Sequence, residues 1–192
     1  MPQLGLLFVI NEPPAAMEEE LNAWYDTEHI PERLAIDGFL SGERYVSAVR
    51  QRRYLALYDL TDVEVLRSPG YMAFVGDRFT PWTKRILSRT RVTRYEAVQL
   101  YPGDAVAIPA PGHLILRCTG IAAPGEIEER AKRCFLGKPG VAQLRIYAGS
   151  GANAGSAFIH VAGTGDLAAL ADPQVLAGMQ GRLELIETYL PY

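Results

Sequence analysis

The chain is poor in the residues that most often announce chemistry. Among its 192 residues are two cysteines and three histidines. Cys118 and Cys134 share no metal or redox spacing, and two reduced thiols buried for packing are the expectation. With so few histidines no ligand triad forms by spacing, so no metal is expected. Charge of either sign is also scarce in excess: the net charge is −3 and the pI about 5.7. A nucleic-acid partner needs a basic face, and the only local run, Arg50-Gln51-Arg52-Arg53, reads as a solvated turn. Nor does any stretch reach the roughly eighteen apolar residues that would span a bilayer. The first residues, MPQLGLLFVIN, lack the basic start and long apolar run of a signal peptide. A cytoplasmic placement, with no membrane partner, is the expectation.

What is present is an ordinary globular composition, 48% hydrophobic and 21% charged, in a chain long enough to bury a core unaided. Leu4 to Ile10 is a continuous apolar run that reads as a buried strand. A helical pattern follows, with Met17, Leu21, Trp24 and Tyr25 on one face and Glu18, Glu19, Glu20 and Asn22 on the other. Pro31 interrupts it and Gly38 closes it. Phe39–Val49 and Tyr54–Leu60 read as a hairpin, Ser68-Pro69 opens a helical region running through Trp82 and Ile86, and Val92–Tyr101 is a further strand. The order strand, helix, strand, strand, helix, strand is the split βαβ, or ferredoxin-like, unit.

The order then repeats. After Pro102–Gly112, rich in Pro, Ala and Gly, come a strand (113–120), a helix (124–136), a hairpin (141–148 and 157–162), a helix (166–179) and a last strand (182–189). Gly38 and Tyr45 recur as Gly140 and Tyr147 at an offset of 102, and Pro69, Ala73 and Arg78 as Pro173, Ala177 and Arg182 at 104. This predicts an α+β chain of two tandem ferredoxin-like units, residues 1–101 and 113–192, joined by a linker at 102–112. Each unit has one apolar sheet face to cover. Packed sheet to sheet they would form a barrel-like pseudo-dimer within one chain.

The densest polar cluster is Trp24-Tyr25-Asp26-Thr27-Glu28-His29-Ile30-Pro31-Glu32-Arg33. On an α-helix Tyr25 and His29 share a face at i and i+4. Asp26 beside His29 would fix its tautomer and raise its basicity, as a general base near neutral pH requires. Tyr25 can donate to a developing enolate and Arg33 can hold an anion. The same cluster also suits a kinked helix end with an ordinary core beneath it. Trp24, Tyr45, Tyr71, Phe74, Phe79, Arg78 and Trp82 are candidates to line an apolar cavity below His29, and core packing explains each of them as well. The longer second helical region of the first unit places the larger cavity there, between its sheet and its helices.

The run Trp24-Tyr25-x-x-x-His29-x-Pro31, followed by Gly38-Phe39 leading to the second strand, resembles the first-helix motif of EthD-like members of the dimeric α+β barrel superfamily. The second unit resembles that superfamily only in element order and has no His-x-Pro. The resemblance implies a fused intrachain dimeric α+β barrel with one site per chain. It implies the fold better than the reaction; the polar cluster over an apolar cavity adds the expectation of a small cofactor-independent enzyme of lyase or isomerase type that moves protons on a hydrophobic aromatic or cyclic carbonyl compound. His29 would be the acid–base group, oriented by Asp26 and assisted by Tyr25 and Arg33. A non-catalytic small-molecule binder or assembly protein, or a cofactor-free monooxygenase, fits the same fold. The expected partner is a small hydrophobic molecule, and a homodimer is an allowed assembly.

Overall fold

A computed structural model describes residues 3–172 and 182–192. Eight strands close into one antiparallel barrel. They are β1 (Gly5–Glu12), β2 (Glu43–Ser47), β3 (Tyr54–Leu60), β4 (Arg91–Tyr101), β5 (Gly112–Thr119), β6 (Val141–Gly149), β7 (Ser156–Gly163) and β8 (Arg182–Pro191). Around the barrel the order is β1-β3-β2-β8-β5-β7-β6-β4. Read by halves it is β4-β1-β3-β2 and β8-β5-β7-β6, the same spatial order twice. The halves are sewn together at β2–β8 and β4–β6, where Tyr45 faces Pro191 and Val98 faces Ala148.

The strand period of two explains the layers. On β1, Leu6, Phe8 and Ile10 point into the barrel with Tyr45, Leu57, Ile115, Tyr147 and Phe158. Leu7 and Val9 point outward under the first set of helices, with Leu21, Trp24, Tyr58 and Ile86. Both faces of β1 are therefore covered, which is why its sequence is unbroken apolar. In the second half Ile127, Ala131 and Phe135 of α5 (Pro124–Phe135) cover Leu116, Leu144 and Ile159. The paired glycines behave alike: Gly38 and Gly140 have φ of 98° and 84°, and their carbonyls accept from Thr61 N and Thr164 N. A side chain at either would be strained.

Several boundaries differ from those the sequence suggests. The second strand is short, Glu43–Ser47, and Phe39 makes only an isolated bridge to Leu60. The helical region after Ser68 is broken into α3 (Pro69–Met72) and α4 (Pro81–Leu87). Gly76 takes φ of 65° between them, and the Thr80 hydroxyl caps the restart by accepting from Thr83 N. From the expected last helix, a short 3-10 turn at Leu167–Leu170 is observed; Pro173 and Ala177 lie outside the described residues. The segment 102–112 is a strap tied across one barrel end. Ala105 N donates to Gln99 Oε1, Ala107 N to Asp59 Oδ2 at 2.7 Å, and Gln143 Nε2 to the Val106 carbonyl. No helix among the described residues is long and apolar enough to cross a membrane.

Candidate functional site

The first helix is two short α segments, α1 (Glu18–Trp24) and α2 (Ile30–Leu34), joined by a π turn over Tyr25–His29. Pro31 is the local cause. It has no N–H to offer the Thr27 carbonyl and its ring presses on that carbonyl, so the helix widens there. Ile30 N reaches back to the Tyr25 carbonyl, five residues away. The wider turn stacks His29 on Trp24, at 4.1 Å between centroids, and sets Tyr25 edge-on to the imidazole at 5.2 Å.

His29, Tyr25 and Arg33 come together at a cavity of about 130 Å³ between the sheet and this helix. Leu7, Val9, Trp24, Tyr71, Phe79 and Arg94 are among its walls. Cavities of about 150 Å³ hold a benzene ring, so this one suits a single ring and is too small for a porphyrin. Among the described residues no carboxylate lines it. Arg33 is 3% exposed; its Nη2 donates to the Phe74 carbonyl at 3.2 Å, and its guanidinium lies 5.1 Å from the Tyr71 ring centre. Arg33 Nη1 and His29 Nδ1 are both buried, with no hydrogen-bond partner among the described residues. Buried polar groups of this kind are rare, and here two stand at one cavity.

Burial, and secondarily the Arg33 cation, hold the His29 pKa well below the usual histidine value, so the ring is neutral at pH 7. Burial pushes the Tyr25 phenol up to about 12, against smaller opposing effects of Asn11, Arg44 and Arg33. Tyr25 Oη accepts from Asn11 Nδ2 at 2.8 Å and keeps its own proton to donate. The site thus offers a neutral base, a phenol donor and a guanidinium around one ring-sized space.

The structure revises several sequence expectations. Asp26 does not orient His29. It lies on the exposed side of the π turn and pairs with Arg44 at 2.9 Å. Tyr45 points into the barrel, on the opposite sheet face from His29, because the outward position of β2 belongs to its neighbour Arg44. Phe74 lies half-exposed in another surface depression, Arg78 donates to the Met72 carbonyl at the surface, and Trp82 packs against the core outside the cavity. Trp24 and Tyr71 do line it. A cavity of about 440 Å³, larger than the one at His29, lies not between the sheet and helices of the first half but at the capped barrel end, walled by both halves and the strap.

Other groups had not been singled out. Glu28 Oε1 accepts from Thr80 Oγ1 at 2.6 Å, from Thr83 Oγ1 at 3.0 Å and from Trp24 Nε1 at 3.2 Å, locking α4 onto the π turn. The Arg44 guanidinium sits over the Tyr25 ring, 4.6 Å from its centre. Asn11 and Arg94 come from strands. Asn11 carried one signal, as the polar residue ending the apolar run of β1.

No family model and no curated protein matches the chain. Solved structures do share its fold. An anthrone oxidase-like protein aligns over 100% of this chain and 92% of its own, with 13% identity and a TM-score of 0.67. A mutant chlorite dismutase from Candidatus Nitrospira defluvii aligns over 100% and 93%, with 11% identity and a TM-score of 0.63. A candidate monooxygenase from Fusobacterium nucleatum aligns over 100% and 93%, with 8% identity and a TM-score of 0.61. What these structures share with the chain is the fold, an eight-stranded antiparallel barrel with helices outside it, closed here within one chain.

Proposed function

We propose that the chain is a small enzyme that removes a proton from a single-ring carbonyl or hydroxyaromatic compound and holds the resulting oxyanion. The observation that carries this reading is the pair of buried, unpartnered nitrogens, His29 Nδ1 and Arg33 Nη1, at one ring-sized cavity. In the reaction, a C–H or O–H bond of the substrate breaks, the proton passes to the neutral imidazole, and the electron pair spreads onto the substrate oxygen. Arg33 and the Tyr25 hydroxyl, both on buried side chains, stabilise that oxygen. Returning the proton elsewhere gives an isomerisation; loss of an adjacent leaving group gives an elimination.

A base of lowered pKa suits an acidic substrate, such as a phenol or a carbon acid between a ring and a carbonyl. Asp26 has no part in this scheme. The two halves, residues 1–101 and 113–192, are read as fused ferredoxin-like units, the first EthD-like and carrying the site. The likeness to an anthrone oxidase-like protein and a candidate monooxygenase supports a second reading. There the same carbanion or phenolate reacts with dioxygen without a cofactor, detected as oxygen uptake.

The test is hydrogen exchange on phenylacetaldehyde in D2O, followed by NMR. The wild-type chain should speed exchange of the benzylic protons, and His29→Ala should lose a hundredfold or more of that acceleration, the usual order for an acid–base group. An unchanged rate in a folded His29→Ala protein would discard the proposal.

A further inference from the structure

The cavity at the capped barrel end lies on the other side of the sheet from His29, and it is built from chemistry the first site does not use. Glu43 and Tyr45 stand two apart on β2 and so face it together; Ile108–Pro111 of the strap, His113 of β5 and Tyr192 are among its other walls. Behind His113 runs a buried chain of hydrogen bonds. Asp59 Oδ1 accepts from Arg145 Nη1 at 2.6 Å, and neither side chain is exposed. Arg145 Nη2 donates to His160 Nδ1 at 2.9 Å, and His160 Nε2 meets His113 Nδ1 at 2.9 Å. His113 Nε2 then meets the Ala110 carbonyl of the strap at 3.2 Å.

This chain fixes both tautomers. A guanidinium only donates, so His160 Nδ1 is an acceptor and His160 carries its proton on Nε2. That proton goes to His113 Nδ1, which leaves the His113 proton on Nε2 for Ala110. Burial, with Arg145 nearby, keeps both rings neutral. The cavity wall at His113 is therefore an uncharged ring of set orientation, 4.3 Å from the Tyr45 ring.

Two polar groups at this cavity remain uncommitted. Tyr45 is only 4% exposed, and among the described residues no group hydrogen-bonds its hydroxyl. The Glu43 carboxylate forms no ion pair among them either. Arg44 also borders the space, but Asp26 and Asn22 hold its guanidinium and it lies 4.1 Å from the Tyr192 ring centre. Its charge is matched, and Glu43 repels anions.

We propose that the barrel-end cavity is a second small-molecule site. It takes an uncharged planar ring whose edge carries an N–H or O–H donor beside a carbonyl. The donor goes to Glu43, the carbonyl accepts from Tyr45, and the flat faces meet His113, Tyr192 and the prolines at 109, 111 and 191. Its volume falls in the usual range for ligand pockets. The site stands independently of the reaction assigned to His29.

The experiment uses the full chain with 2-quinolone, whose lactam edge presents that donor and carbonyl, and N-methyl-2-quinolone, which lacks the donor. Amide NMR should show 2-quinolone shifting Tyr45, Ala110 and His113. N-methylation and Tyr45→Phe should each weaken binding about five- to tenfold, the loss of one hydrogen bond. A melting curve confirms that Tyr45→Phe folds; if it does not, the comparison of the two quinolones on wild-type protein decides alone. Absence of binding, equal affinity for the methylated probe, or shifts centred on Arg33 and Tyr71 would overturn the assignment.

Discussion

His29 is defined by what surrounds it more than by what it touches. It has a stacked indole, an edge-on phenol and a nearby guanidinium, with no carboxylate behind it among the described residues. Its pKa is lowered, burial acting first and Arg33 second, so the imidazole stays neutral as pH falls through 6.5. The unfolded chain takes up a proton near 6.5 while the folded site refuses it until lower pH. Folding stability linked to this group is thus complete above 6.5 and declines below it. NMR titration of His29 should give a midpoint clearly below 6.5. Arg33→Met should raise that midpoint while slowing proton exchange on the probe, since one cation lowers the pKa and holds the oxyanion. A midpoint at or above 6.5 in the wild-type protein would remove the basis of this account. The cluster was legible because a histidine, a tyrosine and an arginine crowd one helical stretch. The true partner of Asp26 was not, since Arg44 reaches it from β2, eighteen residues away.

At the scale of elements, the order of strands and helices was readable from apolar runs, glycines and prolines, and the barrel follows from two sheets each with a face to cover. What the pattern did not reveal is the π turn. Helical reasoning assumes 3.6 residues per turn, and the sole sign of departure was Pro31, which equally fits a simple kink. That turn decides which ring meets His29: Trp24 at i−5 stacks, and Tyr25 at i−4 is edge-on. Pro31→Ala restores an N–H that can bond the Thr27 carbonyl, so the π turn should tighten to α and rotate the imidazole off Trp24. The indole ring-current shift on the His29 protons should shrink and probe exchange should fall at least tenfold, with the melting temperature kept or raised. An undisturbed shift would show that the Glu28 lock to Thr80 and Thr83 holds the turn without the proline.

For the whole molecule, the interior is not a purely apolar core. Asp59, Gln99, His113, Arg145, His160 and Glu187 are all buried. The sequence did carry a trace of this: each of Asp59, Arg145 and His160 is a polar residue between apolar ones inside a strand run. A lone polar residue in a strand ordinarily faces solvent, but closure into a barrel turns this face inward. Arg145→Met should destabilise the fold by about 3–5 kcal/mol, since it strands the Asp59 carboxylate with no cation. Adding Asp59→Asn should recover part of the loss, and chemical denaturation measures both. A mild loss for Arg145→Met alone would mean that Ser41 Oγ and Ala107 N, which also hold Asp59, suffice for it.

The strap at 102–112 and the seams β2–β8 and β4–β6 together mean that both halves of the barrel arrive on one covalent chain. In a barrel assembled from two molecules, each half waits for its complement, and dilution loosens the closed form by mass action. Here the complement is tethered, at an effective concentration set by the strap and not by the amount of protein present. The two halves are therefore free to diverge in sequence, because neither must also pair with a copy of itself. That freedom is written in the chain: one half keeps the imidazole and guanidinium under its helices, while the other supplies His113, His160 and Arg145 to the interior.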